Sequence, residues 1–118
     1  MMFSDETTRL RWIHSSREIR SLRKRGRPGR GVNVFIWGLA SSDEEPGTVA
    51  AGVVCGKGFR TAADRNLAKR RVRGCLLELR HVLKEGRSYL VQCRPGAEKA
   101  DYQLLVNEIR GLISNGRP

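Results

Sequence analysis

Residues 61–84 read TAADRNLAKRRVRGCLLELRHVLK, and this stretch decides the fold. Its apolar side chains recur at the helical positions i, i+4, i+7, i+8, i+11 and i+15, occupied by Ala68, Val72, Cys75, Leu76, Leu79 and Leu83. A stripe of this kind is typical of a helix that packs one side against a core. The stretch therefore predicts an amphipathic helix from Thr61 to about Lys84.

A second face of the same helix is cationic. Asn66, Lys69, Arg70 and Arg73 stand at i, i+3, i+4 and i+7, so that they share a face beside the apolar stripe. Packing the stripe on a sheet leaves these side chains as a ridge suited to an RNA backbone. A solvated basic helix without a ligand explains the spacing equally well, so both interpretations stay open.

The charge of the whole chain favours a nucleic-acid partner. Its 118 residues include 23 basic and 12 acidic side chains, a net charge of +11, and 18 of the basic residues are arginine. Guanidinium groups fork onto phosphate oxygens and stack on bases. Nine basic residues lie in the first 30 positions and seven between Lys57 and Arg73. Charge concentrated in this way indicates a binding face, although a generic basic surface is the alternative.

The other segments predict a single α+β domain over residues 1–118. Ser15 has the capping-box spacing to Glu18 and begins a first helix that ends near Gly26. Strands are expected at 32–39, 48–55 and 88–93, the first two as a hairpin around the acidic turn 41–47. A last helix begins near Asp101 and ends at 115–116. Residues 1–14 are expected to form an irregular arm, which Leu10 and Trp12 could attach in part to the body of the domain, and 27–31 a loop.

Self-contained catalysis is not indicated. His14 and His81 are isolated, and no paired carboxylates, Ser-His-Asp set or Cys-His arrangement can be assembled. Cys55, Cys75 and Cys93 are odd in number and lie in apolar runs, so they are expected to be buried thiols in a reducing compartment. No signal peptide or membrane-spanning stretch is found. We expect a cytoplasmic protein without a metal, a cofactor or a small-molecule substrate of its own.

Two aromatic side chains indicate where a single strand could bind. Phe35 and Trp37 share one face of the first predicted strand. Aromatic rings beside a cationic path bind single-stranded nucleic acid by stacking on its bases, with little regard to sequence. Ordinary core packing is the competing interpretation, and it applies to Phe35 more than to Trp37.

Four segments resemble the protein of bacterial ribonuclease P. ADRNLAKRRVR at 63–73 is similar to the signature helix of that family, and GVVCGKGF at 52–59 to the strand end before it. SYLVQCRPGA at 88–97 looks like the next strand and turn, and SSREIRSLRKRG at 15–26 like the first helix. Leu67, Gly58, Ile19 and Arg23 depart from the residues common in the family.

The resemblance implies a two-layer α+β sandwich with a small mixed sheet and a left-handed βαβ crossover, against the usual hand. It also implies that a ribonuclease P RNA cleaves the 5′ leader from precursor tRNA with Mg²⁺, while the protein assists. Contacts with that RNA would come from Lys57, Arg65, Asn66, Lys69, Arg70 and Arg73. The leader cleft would be lined by Ile19, Arg23, Phe35 and Trp37. Alternatives are a ribosomal or other structural RNA-binding protein of this fold and, less consistent with the residues, a protein-only nuclease.

Overall fold

A computed structural model describes residues 8–40 and 47–114, in which five strands and three helices form one sheet with helices on both faces. The elements along the chain are β1 (Arg9–Trp12), α1 (Ser16–Arg25), β2 (Arg27–Arg30), β3 (Val34–Ala40), β4 (Thr48–Cys55), α2 (Ala62–Glu78), β5 (Arg87–Cys93) and α3 (Tyr102–Ser114). The predicted α+β class is confirmed. The predicted acidic turn and the stop of the last helix fall largely outside the described residues.

The sheet is mixed, with the strand order β1-β4-β5-β3-β2. β4 and β5 are parallel and joined through α2, whereas β3 runs antiparallel to β5. The hairpin predicted from the first two strands is wrong, because β5 lies between β3 and β4. Strands separated by one intervening strand are about 10 Å apart, and a connection of the length of 41–47 spans that distance easily. The left hand of the crossover stays a prediction.

Two short edge strands replace segments that were expected to be irregular. Residues 9–12 of the expected arm form β1, which pairs in parallel with β4 from Arg9 opposite Thr48 onward. The alternation in β1 turns Leu10 and Trp12 toward the main core, and this contact is what fixes the strand. Residues 27–30 of the expected loop form β2, antiparallel to β3. Proline is tolerated there because β2 is an edge strand, where one side needs no amide donor.

The main core lies between one face of the sheet and the helices α2 and α3. The predicted stripe of α2 is buried along its whole length, from Ala68 to Leu83, and packs against Val34, Ile36, Val49 and Val91. α2 itself ends at Glu78, earlier than predicted. Turns follow the helix, in which the carbonyl of Leu79 accepts hydrogen bonds from Val82 N at 2.8 Å and Leu83 N at 3.3 Å. These turns keep Leu83 on the same buried side as the stripe.

The opposite face of the sheet is covered by α1. Leu22 of α1 is 1% exposed and packs with Ile13, Ala50 and Leu90 in a second, smaller core. Ser15 caps α1 as predicted, since its hydroxyl accepts a hydrogen bond from Glu18 N at 3.3 Å. The two sheet faces are therefore covered unequally, and the part of the second face that α1 leaves open is where the aromatic residues stand. Within the described ranges, no helix combines the length and apolar character that crossing a membrane requires.

Candidate nucleic-acid interface

The cationic face of α2 stands open to solvent beside the buried stripe. Thr61 begins the helix by accepting a hydrogen bond from Asp64 N at 3.0 Å. Three residues of this face are exposed and two are half-buried; together they form what we call the basic ridge: Arg65, Asn66, Arg70, Lys69 and Arg73. The predicted exposure of this face is confirmed, while its contact with RNA stays a prediction.

Lys57 lies in the connection between β4 and α2, on the approach to the helix. It is exposed, and the neighbouring Gly58 has a φ of 101°, a left-handed conformation that favours glycine. Gly56 N donates to the carbonyl of Cys93 at 3.0 Å, which ties this connection to the end of β5. The amino-terminal end of a helix has a partial positive charge that favours anions. Lys57 therefore adds to the charge at the start of the basic ridge.

Arg71 shows that not every cation of this helix is available to a ligand. Its guanidinium donates to the carbonyl oxygen of Ala97 at 2.8 Å and also to that of Ala100, and it lies 5.9 Å from the ring centroid of Tyr102. These contacts attach α2 to the turn before α3. Arg71 is thus a structural residue within a run of basic residues that otherwise faces solvent.

The thiols beneath the ridge behave as packing residues. Cys55 and Cys93 are partners in the β4–β5 register, and Cys55 Sγ donates to the carbonyl of Arg65 at 3.4 Å. Burial raises the pKa of Cys93 well above its ordinary value, and the nearby charges of Lys69 and Arg73 oppose this only weakly. Both thiols are free. Cys75 is buried like Cys93, which raises its pKa to about 11. Cys55, predicted to be buried as well, is only half-buried, because it lies at the end of β4.

Phe35 and Trp37 form a stacked pair on the second sheet face. Their ring centroids are 5.5 Å apart and their planes meet at 20°. Both are half-buried, so that neither is a fully enclosed core residue. Of the two interpretations that the sequence left open, the geometry favours partly exposed rings that can receive a base.

Three guanidinium groups surround this pair. Arg30 lies 5.1 Å and Arg94 5.7 Å from the ring centroid of Phe35, and Arg23 lies 5.8 Å from that of Trp37. Arg94 is fixed by donating to the carbonyl of Gly31 at 2.8 Å. We call the two rings and these three arginines the aromatic track. Arg23 was predicted from the sequence, whereas Arg30 and Arg94 were missed because their positions follow from strand pairing and a turn.

The helix α1 forms one wall of the aromatic track. Ile19 packs on the second core beside Trp37, and with Ser16, Arg20 and Arg23 it lines a depression of about 250 Å³. Arg23 also donates to Gln92 Oε1 at 3.0 Å. Ile19 and Arg23 thus stand next to the rings, as predicted for one wall of a cleft.

The track and the ridge meet at one end of the sheet. Gln92 stands opposite Phe35 on one side and Val54 on the other, so that the start of β3 and the ends of β4 and β5 lie together. A β-carbon on Gly56 would come within 2.8 Å of Gln92 Nε2, which places the connection to α2 directly against this end. Lys57 and the first turn of α2 are therefore close to the Phe35 end of the track.

Comparisons with known proteins agree with this geometry. A family model described as Ribonuclease P matches residues 8–116. The "Ribonuclease P protein component" of Clavibacter michiganensis subsp. michiganensis is 26% identical over 102 residues, which cover 86% of this chain and 88% of that protein. The protein of the same name from Streptococcus equi subsp. equi is 36% identical over 63 residues, 53% of this chain and 52% of that protein.

Solved structures show the same fold. The RNase P protein of Staphylococcus aureus has a TM-score of 0.74 at 16% identity, over 90% of this chain and 94% of that one. The RNase P protein from Thermotoga maritima also has a TM-score of 0.74, at 18% identity, over 87% of this chain and 94% of that one. At such low identity the likeness concerns the fold alone.

Proposed function

Because the chain belongs to the ribonuclease P family, we propose that it serves as the protein subunit of that endoribonuclease. In this role it binds the ribonuclease P RNA and the 5′ leader of precursor tRNA, and it assists removal of the leader during tRNA maturation in the cytoplasm. One observation carries the proposal: the basic ridge and the aromatic track, two surfaces of different chemistry, converge at one end of the sheet.

The basic ridge is the surface that we assign to the ribonuclease P RNA. Its side chains project from a helix whose other face is fixed in the main core, so they are held at a constant spacing. Lysine and arginine neutralise phosphates and release counterions, and Asn66 adds one amide donor and one acceptor. A rigid array of this kind suits a folded RNA, which presents phosphates in fixed positions.

The aromatic track is the surface that we assign to the leader. Stacking on Phe35 and Trp37 requires an unpaired base, since bases within a duplex are already stacked on each other. Arg23 stands where aromatic residues are common in the family, and its guanidinium plane over Trp37 offers stacking in their place. The leader is a single-stranded segment that precursor tRNA has and mature tRNA lacks, so the track would separate precursor from mature tRNA.

The chemical step belongs to the RNA in this proposal. We propose that Mg²⁺ acts through the ribonuclease P RNA, and that the contribution of this chain is to hold both RNAs in a fixed relation. The protein concentrates positive charge beside the leader, which lowers the Mg²⁺ concentration needed to bring the two polyanions together.

Reconstitution tests the proposal directly. The chain is added to a bacterial ribonuclease P RNA at low Mg²⁺, and cleavage of a leader-bearing precursor tRNA is measured. We expect a clear gain over the RNA alone, and no cleavage by protein freed of RNA. If the protein gives no gain at any low Mg²⁺ concentration, the proposed function is wrong.

A further inference from the structure

At the end of β3 away from Phe35, three arginines line one depression. Arg25, Arg27 and Arg87 border a notch of about 420 Å³, together with Gly26, Pro28, Gly38, Leu39 and Ala40. We call these three side chains the arginine notch. The described residues that line it include no carboxylate. The notch lies outside both the basic ridge and the aromatic track.

The sheet itself leaves this notch open. The register of β2 with β3 begins at Arg27 opposite Gly38, so within the described chain β2 does not extend along Leu39 and Ala40. Backbone groups on that side of β3 are left for another partner, and such a sheet edge can form an anion-binding concavity. Gly26 makes the geometry possible, because a β-carbon there would come within 2.4 Å of the Leu22 carbonyl and 3.0 Å of Trp37 Cβ. Because α1 passes directly into β2 at Gly26, Arg25 and Arg27 stand on either side of this glycine.

One donor in the notch lacks an acceptor. The Nε of Arg87 is buried and has no hydrogen-bond partner among the described residues. Its guanidinium lies 6.0 Å from the ring centroid of Tyr89, and a ring face does not satisfy an N–H donor as well as an oxygen does. A buried donor without a partner is unfavourable, so Arg87 gains from any shift of its guanidinium that brings Nε within reach of an acceptor bound in the notch.

The chemistry of the notch fits a phosphodiester. Three guanidinium groups supply planar N–H forks that match phosphate oxygens, and they compensate the charge of one phosphate fully. The notch lies past the end of the aromatic track, because Ala40 follows Trp37 by three residues of extended strand, or about 10 Å. Arg27 and Arg87 stand opposite Gly38 and Ala40, on the sheet face away from Trp37, so a strand that leaves Trp37 reaches them by turning over the end of β3. That distance corresponds to roughly three nucleotides of a stacked strand, at about 3.4 Å each, and to fewer if the strand is extended.

We propose that Arg25, Arg27 and Arg87 bind a backbone phosphate of the precursor-tRNA leader, a few nucleotides beyond the base stacked on Trp37. This inference rests on the proposed function and adds a third RNA contact to it. It predicts that binding depends on leader length, because only a leader long enough to pass Trp37 can reach the notch.

The test measures how tightly the reconstituted holoenzyme binds precursor tRNAs whose leaders lengthen one nucleotide at a time. We expect wild-type affinity to rise in a step when the leader reaches the notch. Arg27→Ala should abolish that step, a loss of roughly tenfold for the long leader, since charge-assisted hydrogen bonds are among the stronger ones. Binding of a leader that ends at Trp37 should change less than twofold on the same scale. In Arg27→Ala the negative slope of log affinity against log salt concentration should become shallower by about 0.7, and only for the long leader.

Arg87→Met removes the donors of Arg87 but keeps its aliphatic length, so it tests the notch without emptying the space beside Tyr89. Arg110→Ala, an exposed arginine of α3, is the matched control and should keep the step. Equal losses on long and short leaders, or intact steps in both notch variants, would overturn the inference. If wild-type protein stimulates no substrate at all, it is the proposed function that fails.

A second source of anionic groups is the chain itself, because Asp43, Glu44 and Glu45 follow β3 in the sequence. Neutralising all three, as Asp43→Asn with Glu44→Gln and Glu45→Gln, separates the two sources. We expect the length-dependent step to persist or grow in this variant. Loss of the step, as in Arg27→Ala, would mean that the notch serves these carboxylates and would overturn its assignment to the leader.

Discussion

The basic ridge and the aromatic track are built in opposite ways. The ridge comes from nine consecutive residues of one helix, 65–73, so its geometry is local. The track is assembled from α1, β2, β3 and the turn after β5, which meet only when the sheet has formed. Charges spaced along a helix suit a folded RNA, whereas partly exposed rings beside arginines suit a single strand of varied sequence. The two surfaces should therefore differ in ligand and in response to mutation.

The largest expected effect is on the ridge. Arg65→Ala combined with Arg70→Ala should weaken binding of the ribonuclease P RNA about 100-fold, because two charged contacts at about 1.4 kcal/mol each are lost. Direct binding of protein to that RNA measures this. The matched control removes two exposed charges elsewhere, Lys99→Ala with Arg110→Ala. Its loss of binding free energy should be less than a fifth of that of the ridge variant, because isolated surface charges contribute little. If both variants lose similar affinity for the RNA, the ridge residues act only through the net charge of the protein.

The next effect separates the track from the ridge. Trp37→Ala should reduce the preference of the holoenzyme for leader-bearing over mature tRNA roughly tenfold, since stacking contributes about 1–3 kcal/mol per base. Trp37→Phe should keep most of the preference, because it retains a ring. The ratio of the two tRNA affinities is the readout, taken at saturating ribonuclease P RNA. Equal weakening toward both tRNAs would refute the assignment of the track to the leader.

A smaller effect tests a residue that sequence reasoning did not find. Arg30→Ala should lower leader affinity about two- to fivefold, because a guanidinium over a bound base contributes about 0.5–1 kcal/mol at an exposed site. Arg30→Lys should recover part of the loss, since it restores the charge without the planar group. If Arg30→Ala instead impairs binding of the ribonuclease P RNA, the boundary drawn between the two surfaces is misplaced.

The smallest effect on binding should come from a cation inside the ridge sequence. Arg71→Ala should change RNA affinity less than twofold, yet it removes hydrogen bonds to the carbonyls of Ala97 and Ala100. We expect the free energy of unfolding to fall by about 1–3 kcal/mol, because partly buried acceptors lose their partner. Chemical denaturation measures this loss. A stable variant with weak RNA binding would place Arg71 on the ridge after all.

The same contrast between local and long-range geometry explains which features could be predicted from the sequence. The α2 stripe and the exposure of Asn66 and Arg70 followed from spacing within one helix, and the structure confirms both. Strand order did not follow, because β5 enters between β3 and β4 from a distant part of the chain. The pairing of Arg30 opposite Phe35 depends on that same long-range register. Only one arginine of the track, Arg23, could therefore be named in advance, and only through the resemblance.

The short edge strands β1 and β2 were also not predicted from the sequence. RPGR at 27–30 has the composition of a loop, and the arginines at 9 and 11 hide the alternation of Leu10 and Trp12 in β1. Neither segment would form a strand alone; each is fixed by a neighbour that is already in place. Strand β2 nevertheless brings Arg30 to the track and Arg27 to the notch, so the proposed function depends on an element that local propensity does not reveal.

The separation of the two surfaces is tested most directly by a double-mutant cycle between Arg70→Ala and Trp37→Ala. Affinity for the ribonuclease P RNA and the preference for leader-bearing tRNA are measured for wild type, both single variants and the double variant. We expect each substitution to affect one quantity alone, and their effects to add within about 0.5 kcal/mol. If Arg70→Ala reduces the leader preference as much as Trp37→Ala does, ridge and track are one surface.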